Sequence, residues 1–288
     1  RYNRNIWSVM LDAYDYDGWR LAFRHTPASP GHEADPPLLL VHPVGIGLSS
    51  WFWDRFTEAW EGGEVYAPDL IGCGMSDTWQ PAERGLFLPL DWARGCEALW
   101  RAHIQRPCIV IAQGGLAPVG IVLASREADN WSGSKAVSHL VLTSPPTWAD
   151  LTSPIPEDQL LRNYNALRSP LGRMAIGLVE SRAAIRFFSD LFLFEHKCDE
   201  RWLDQARSEC SEAAREPVYA FNAGLLQHRS YEQQLLDMTQ PTLVISGRGD
   251  KRMARRTGYA SGMKACTLCT LPGLNVLPWE APNDVGNA

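Results

Sequence analysis

The sequence predicts an α/β fold with a mostly parallel central sheet, helices on both faces of the sheet and an inserted helical cap. Three short apolar runs, 38–42, 108–112 and 137–143, carry this prediction. They are mainly apolar rather than alternating, which is typical of parallel strands that are buried on both faces. Helical patterns separate the runs, and strands that alternate with helices indicate a parallel sheet.

The remaining elements follow from local signals. Residues 6–14 and 19–25 predict two strands of a hairpin, because Asp17-Gly18 between them is a favoured two-residue turn. The other predicted elements are a helix at 51–60 capped by Ser49 or Ser50, a strand at 64–67, a helix at 90–103, a helix that follows Gln113-Gly114-Gly115 and runs to about Ser125, a strand at 242–246, a helix from about Asp250 and a strand near Leu268.

The segment between the strands at 137–143 and 242–246 has a different pattern. It contains no convincing strand, but helical stretches occur at 160–168, 182–194 and 201–214. We therefore expect residues 1–144 and 241–288 to form the α/β core, and residues 145–240 to form a helical cap inserted into it.

Composition excludes several classes of function. The net charge of the 288-residue chain is −6, whereas nucleic-acid binding needs a clustered basic surface. No apolar run approaches the ~20 residues that a transmembrane helix needs. Seven cysteines at irregular spacing do not describe a disulfide framework and favour a reducing compartment. Cys266 and Cys269 lie on a predicted strand and point to opposite faces, so we expect no metal site and no cofactor.

Two segments carry a resemblance to the α/β-hydrolase superfamily. The resemblance covers nearly the whole chain, and the cap is the least comparable part. The two segments are Leu38-Leu-Leu-Val-His42-Pro-Val-Gly-Ile-Gly47 and Pro68-Asp-Leu-Ile-Gly72-Cys-Gly74-Met-Ser76-Asp77. A dinucleotide-binding oxidoreductase fits less well, because Ser50 replaces the third glycine of the motif and no Tyr-x-x-x-Lys pair occurs.

A narrower resemblance links the chain to a hydrolase-like subfamily of cyanobacteria and plastids. Its residues are His42-Pro-Val-Gly45, Gln113-Gly114 and Asn275-Val-Leu-Pro278. This resemblance implies a soluble protein of the plastid or of the cyanobacterial cytoplasm.

The superfamily resemblance assigns the three positions of a catalytic triad. The Gly-x-Ser-x-Gly motif falls on Ala112-Gln-Gly-Gly-Leu116, which places Gly114, a residue with no side chain, at the nucleophile position. Asp250 takes the acid position, and Val276 replaces the histidine and cannot transfer a proton. A structural role for Asp250 at a helix N-terminus is the favoured alternative.

The resemblance also implies a pocket. The backbone N–H groups of Gly115 and Val44 match the oxyanion-hole donors, and two such donors without a nucleophile can hold a ligand carbonyl or carboxylate. The other expected pocket residues are His42, Gln113, Trp51, Ser144 and Trp148. Trp53 and Trp279 are also expected nearby, although all these tryptophans can equally be core residues.

A hidden active site is a further alternative. Ser76, Ser144, Ser246 and Cys73 are candidate nucleophiles, and His228 of the cap could reach the pocket.

The function that we expect is binding by a catalytically degenerate protein. The partner would be an apolar small molecule, or else a larger complex in which the chain is a structural or assembly subunit. The alternative is an active hydrolase or lyase of a different mechanism that uses Asp250 and a cap residue.

Overall fold

The computed structural model describes residues 10–81, 85, 88–130 and 136–288. Within them, the chain forms an eight-stranded sheet in the order β1-β2-β4-β3-β5-β6-β7-β8. The strands are β1 Met10–Tyr16, β2 Trp19–Thr26, β3 Leu38–Val41, β4 Val65–Pro68, β5 Cys108–Gln113, β6 Val137–Thr143, β7 Thr242–Gly247 and β8 Cys266–Leu271. Strands β3 to β8 pair in parallel, and the β1–β2 hairpin joins β4 antiparallel, so the predicted sheet is confirmed.

The β1–β2 turn has the geometry that its sequence predicts. Asp17 and Gly18 have φ angles of 44° and 82°. A two-residue hairpin turn with positive φ at both positions matches the twist of the strands that it joins. Residues 6–9 of the predicted first strand lie outside the described residues.

The helices cover both faces of the sheet. They are α1 Asp54–Ala59, α2 Leu88–Leu99, α3 Ala117–Asn130, α4 Trp148–Thr152, α5 Glu157–Arg168, α6 Pro170–Val179, α7 Arg182–Phe192, α8 Glu200–Glu209, α9 Arg215–Ala223, α10 Glu232–Asp237, α11 Thr257–Gly262, α12 Leu277–Glu280 and α13 Pro282–Asn287. Strand β3 shows the two-sided burial directly. Leu39 and Val41 pack in one apolar cluster, whereas Leu38 and Leu40 pack in the other.

The helix predicted at 51–60 differs in its first turn. A 3₁₀ turn, Ser50–Trp53, precedes α1, and Ser49 makes no side-chain capping hydrogen bond. The Ser50 N–H donates instead to Asp69 Oδ1 at 2.9 Å, because the loop after β4 brings that carboxylate against the turn. The prediction of a serine cap was therefore wrong.

The segment between β6 and β7, residues 145–240, contains α4 to α10 and no strand, and all of it lies within the described residues. Contacts among three tryptophans pack this segment against the rest of the fold. Trp202 of α8 packs edge-on against Trp51 and Trp279, with ring centroids 5.1 and 5.3 Å away. Each of the three rings is almost fully buried, so this contact is a large apolar interface.

Gly47, in the loop after β3, offers a test of this packing. Its φ is +64°, and an added Cβ would overlap the carbonyl oxygen of Ala206 in α8. Gly31 is the matched control, because its φ is +88° but no heavy atom lies within 4 Å of an added Cβ. We expect Gly31→Ala to cost about 1–2 kcal/mol of unfolding free energy from backbone strain alone.

Gly47→Ala should cost at least about 2 kcal/mol more, because the backbone of α8 must also move. Urea unfolding followed by far-ultraviolet circular dichroism measures both values. Equal costs for the two variants would contradict the close approach of α8 to this loop.

Candidate ligand cavity

A cavity of about 770 Å³ lies between the carboxyl ends of the central strands and the β6–β7 segment. Loops after β3, β5, β6 and β8 form its floor, where parallel strands end and ligand sites commonly occur. The floor residues are Val44, Gln113, Gly114, Gly115, Ser144 and Val276, and the apolar roof includes Ile176, Val179, Ile185, Phe188, Phe192, Trp202, Val218 and Phe221.

Gly114 occupies the turn between β5 and α3. Its φ is +59°, a left-handed conformation that glycine adopts without the strain of a side chain. An ideal Cβ at this position would meet no heavy atom within 4 Å, so the cavity floor is open here. A sharp strand-to-helix turn that opens into a pocket is the geometry of a nucleophile elbow, although glycine supplies no nucleophile.

Gly115 is required for a different reason. A Cβ at Gly115 would overlap the ring of Phe221 from α9. Glycine at this position therefore lets the aromatic roof approach the backbone of the floor.

The Gln113 side chain connects three parts of the floor. Its Nε2 donates to the Asn275 carbonyl at 2.8 Å, and its Oε1 accepts a hydrogen bond from Thr143 Oγ1 at 2.6 Å. This buried amide thus joins the ends of β5 and β6 to the loop after β8. The position of Val276 in that loop follows from this connection.

Val276 lines the cavity beside this hydrogen-bonded amide. Its side chain is almost fully buried, and its N–H donates to the Leu193 carbonyl at 3.3 Å. An aliphatic side chain at this point can neither accept nor donate a proton.

His42 does not line the cavity, although it was expected to. Its ring is fully buried, and its Nε2 accepts the Leu70 N–H at 3.1 Å. The proton therefore lies on Nδ1, which donates to the Pro43 carbonyl at 2.8 Å. Burial lowers the pKa of this imidazole, so the ring is a neutral brace between two loops. Val44, two residues later, does line the cavity.

The aromatic lining was predicted wrongly for Trp51 and Trp148. Trp51 packs with Trp202 and Trp279 in the second apolar cluster, and Trp148 packs against Tyr259 at a centroid distance of 5.9 Å. Among the described residues, the tryptophan that lines the cavity is Trp202, which sequence reasoning missed. Its only signal was its helical spacing with Leu203 and Ala206, which does not say which face meets a ligand.

Asp250 is not available as a catalytic acid in this structure. Its Oδ2 accepts a hydrogen bond from the buried Arg256 Nη2 at 2.7 Å, and its Oδ1 accepts the Arg252 N–H at 2.9 Å. The Asp250 side chain does not line the cavity. The structural alternative is therefore favoured, but an ion pair and a tight turn replace the expected helix N-terminus, since the next helical turn begins at Met253.

The match to known proteins extends over most of the chain. The model of the alpha/beta hydrolase family matches residues 38–288. The chain belongs to this family. A search of curated protein sequences finds no match to this alpha/beta hydrolase.

Solved structures of similar fold include a haloalkane dehalogenase and an enol-lactonase. The alignment with DBJA has a TM-score of 0.71 at 20% sequence identity, and it covers 97% of this chain and 95% of the DBJA chain. The haloalkane dehalogenase DatA from Agrobacterium tumefaciens C58 has a TM-score of 0.68 at 16% identity, with coverages of 97% and 94%. The enol-lactonase from Burkholderia xenovorans LB400 has a TM-score of 0.70 at 15% identity, with coverages of 96% and 97%. At these identities the likeness shows the fold alone.

Ser144, in the cavity floor of this alpha/beta hydrolase, combines a strained backbone with an unsatisfied side-chain hydroxyl. It follows β6 with a φ of 47°, a conformation that costs a non-glycine residue about 1–2 kcal/mol. Its Oγ is buried without a hydrogen-bond partner. Strain and an unsatisfied hydroxyl in one residue of a cavity wall are typical of a functional position.

The other candidate nucleophiles have structural roles. Ser76 Oγ donates to the Asp69 carbonyl at 2.6 Å, and Ser246 Oγ accepts a hydrogen bond from Arg256 at 3.0 Å. Burial raises the pKa of the Cys73 thiol well above its ordinary value, which disfavours the reactive thiolate. His228 does not line the cavity, and its Nδ1 lies 2.9 Å from the Leu225 carbonyl.

Both charged side chains that line the cavity among the described residues have partners. Asp150 Oδ2 accepts hydrogen bonds from the N–H and hydroxyl of Thr147, at 2.9 and 2.6 Å. Arg252 Nε contacts Asp250 Oδ1 at 3.3 Å. The wall is otherwise mainly aliphatic and aromatic, so the cavity suits an apolar ligand with few polar groups.

The Asp250–Arg256 pair predicts a strong effect on stability. We expect Asp250→Asn or Arg256→Met to cost about 3–5 kcal/mol, because each leaves a buried charge without its partner. The double variant should lose less than the sum of the two. Arg182→Met, which breaks exposed ion pairs with Glu200 and Asp204, is the control and should cost no more than about 1 kcal/mol.

The same pair predicts a pH dependence. Burial alone would raise the pKa of Asp250, but the Arg252 N–H and the Arg256 charge outweigh it and hold the pKa below its ordinary value. The ionised carboxylate therefore stabilises the fold above about pH 4, and this contribution is lost as the pH falls through the folded pKa. Urea titrations from neutral to acid pH should show the gap between the protein and Asp250→Asn narrowing. A gap that is constant with pH would contradict the ion pair.

Proposed function

We propose that this alpha/beta hydrolase binds an apolar small molecule and has lost the serine-hydrolase reaction of its family. One observation carries the proposal: Gly114, with φ +59°, lies at the elbow of an open cavity floor where the family motif places its nucleophile. Val276 at the histidine position supports it, since two of the three reacting groups are then missing. What remains is a site shaped for a substrate without the reagents to transform it.

The alternative of an active hydrolase or lyase that uses Asp250 and a cap residue has less support. Such a mechanism needs a proton acceptor within hydrogen-bond reach of the ligand. Asp250 is paired with Arg256 outside the cavity wall, and Asp150 is held in the capping box of α4. Neither carboxylate is free to accept a proton from a bound molecule without first losing its partners.

The ligand that we propose has a polar end and an apolar body. The backbone N–H groups of Val44 and Gly115 are suited to a carbonyl or carboxylate, and the Ser144 hydroxyl can satisfy its missing hydrogen bond there after a side-chain rotation. The body would pack against the aliphatic and aromatic roof. A volume of about 770 Å³ is in the range of pockets that enclose a small organic molecule.

The finer assignments belong to the same proposal. They are a core of 1–144 and 241–288 with a cap at 145–240, membership of the cyanobacterial and plastid subfamily, and a plastid or cyanobacterial location. A structural or assembly role in a larger complex is the second candidate function, because α6 and α7 expose apolar side chains.

Fluorophosphonate labelling tests the loss of the reaction. We expect no labelling of the protein or of Gly114→Ser, since a serine without a base is a weak nucleophile. Gly114→Ser combined with Val276→His should label slowly, because the base returns without the acid that orients it. In-gel fluorescence and intact mass measure the product, with an active serine hydrolase as the positive control. Labelling of the unchanged protein at one serine, abolished when that serine becomes alanine, would refute the proposal.

Binding of 11-(dansylamino)undecanoic acid tests the cavity. We expect Gly114→Phe to weaken binding at least about tenfold, because the new ring occupies the floor. Gly31→Phe is the matched control: it places the same ring at another left-handed glycine, in open space away from the cavity. Dansyl fluorescence gives the Kd, and thermal unfolding verifies the fold.

Ser144→Ala tests whether the Ser144 hydroxyl contributes to ligand binding rather than to stability of the fold. The variant should be as stable as the protein or about 1 kcal/mol more stable, since an unsatisfied buried hydroxyl is removed. Its affinity for the dansyl probe should nevertheless fall. Unchanged probe binding in both Gly114→Phe and Ser144→Ala would place the function outside the cavity.

A further inference from the structure

The segment between β7 and α11, residues 248–256, is strongly basic in a chain of net charge −6. It contains five lysines and arginines and a single acid, Asp250. Four of the five cations are exposed: Arg248, Lys251, Arg252 and Arg255. Within the described part of the chain, the ion pairs of this basic segment are those of Arg252 and Arg256 with Asp250. The segment therefore carries more positive charge than its one acid can neutralise.

Arg252 brings part of this charge to the cavity. Among the described residues, it is the cation of the basic segment that lines the wall. Its Nε contacts Asp250 Oδ1 at 3.3 Å, whereas its two Nη groups make no hydrogen bond or ion pair with a described residue. A guanidinium is a planar fork of donors whose geometry matches a carboxylate. The wall thus holds a permanent cation with unused donors.

Arg252 is not needed to neutralise Asp250. The buried Arg256 already supplies the counter-ion, since its Nη2 donates to Asp250 Oδ2 at 2.7 Å and the two side chains are only 1% and 7% exposed. One carboxylate is therefore shared by two guanidinium groups, which leaves one positive charge in excess. Beside an apolar cavity this charge is screened less than it would be on an open surface, so a bound ligand experiences it.

Ser144 is a second, independent sign of a ligand at this wall. It lines the cavity, is 2% exposed, and its Oγ has no hydrogen-bond partner. The carbonyl of the next residue, Pro145, accepts a hydrogen bond from Arg256 Nε at 2.6 Å, and Arg256 pairs in turn with Asp250, the contact of Arg252. An unused hydroxyl and an unused guanidinium edge thus belong to one connected part of the wall. Both can donate to an ionised carboxylate, which only accepts.

Asp150 opposes Arg252 as the acidic side chain of the wall among the described residues. Its Oδ2 already accepts two hydrogen bonds from Thr147, at 2.9 and 2.6 Å, within the capping box of α4. A cationic ligand would meet Arg252 in the same wall, and the other exposed cations of the basic segment lie within four residues of Arg252 along the chain. The charge around the cavity therefore favours an anion over a cation.

We propose that the cavity selects an apolar molecule that ends in a carboxylate, and that Arg252 is the residue that selects the charge. The inference rests on the proposed function and specifies the polar end of its ligand. The backbone N–H groups of Val44 and Gly115 suit a neutral carbonyl as well as a carboxylate, so they do not distinguish an acid from its amide. Arg252 does, because its charge attracts only the ionised form.

Two dansyl probes that differ only at the polar end test this selection. 11-(Dansylamino)undecanoic acid is ionised at neutral pH, whereas 11-(dansylamino)undecanamide is neutral and has the same apolar body. Fluorescence titrations at one fixed salt concentration give the Kd of each probe for the protein and for Arg252→Gln. Lys251→Gln is the matched control, because it removes the same charge from the neighbouring residue, which is exposed and does not line the cavity.

We expect the protein and Lys251→Gln to bind the acid at least about tenfold more tightly than the amide. Arg252→Gln should weaken acid binding at least about tenfold and change amide binding by no more than about twofold, so the preference disappears. Arg252→Lys keeps the charge and should retain a preference for the acid.

Asp150→Asn should have the opposite effect on the acid. Removal of the opposing charge should tighten acid binding at least about twofold and leave amide binding unchanged. Asparagine keeps an oxygen that can accept the hydrogen bonds from Thr147, so the capping box is preserved. Thermal unfolding of every variant verifies the fold.

The outcomes separate this inference from the proposed function. Equal binding of acid and amide by the protein, or an equal loss of both probes in Arg252→Gln, would overturn the charge selection and leave ligand binding by the cavity intact. Acid binding that Gly114→Phe does not weaken would also overturn it, because the probe would then lie outside the cavity. Failure of the protein to bind either probe would refute the proposed function, and the selection with it.

Discussion

The floor of the cavity depends on one buried amide. Gln113 lies at the end of β5, and its side chain holds both the end of β6, through Thr143, and the loop after β8, through the Asn275 carbonyl. A buried amide must have its donor and acceptor satisfied, so these bonds fix the separation of the three loops. The neighbours of the three bonded residues are Gly114, Ser144 and Val276, which all line the floor of the cavity.

A second buried group, Arg256, gives Asp250 a structural role. Arg256 is almost fully buried, and its guanidinium reaches the Pro145 carbonyl, Ser246 Oγ and Asp250 Oδ2. It therefore ties the loops after β6 and β7 together beneath the cavity. A buried guanidinium requires a counter-ion, and Asp250 supplies it. The carboxylate at the acid position of the family motif thus supports the architecture of the site as the partner of a buried cation.

The sequence predicts the sheet well because buried parallel strands are continuous apolar runs, and it predicts the turns because Asp17-Gly18 and Gly114 need backbone conformations that few residues adopt. It assigns the wrong tryptophans to the cavity because Trp51 and Trp202 are equally apolar and both buried. Only the three-dimensional crossing of α8 over the loop after β3 decides which ring faces the cavity. The ion-pair partner of Asp250 and the backbone strain at Ser144 could not be predicted from the sequence for a similar reason. Both follow from how neighbouring strand ends are held together, and no local pattern encodes that.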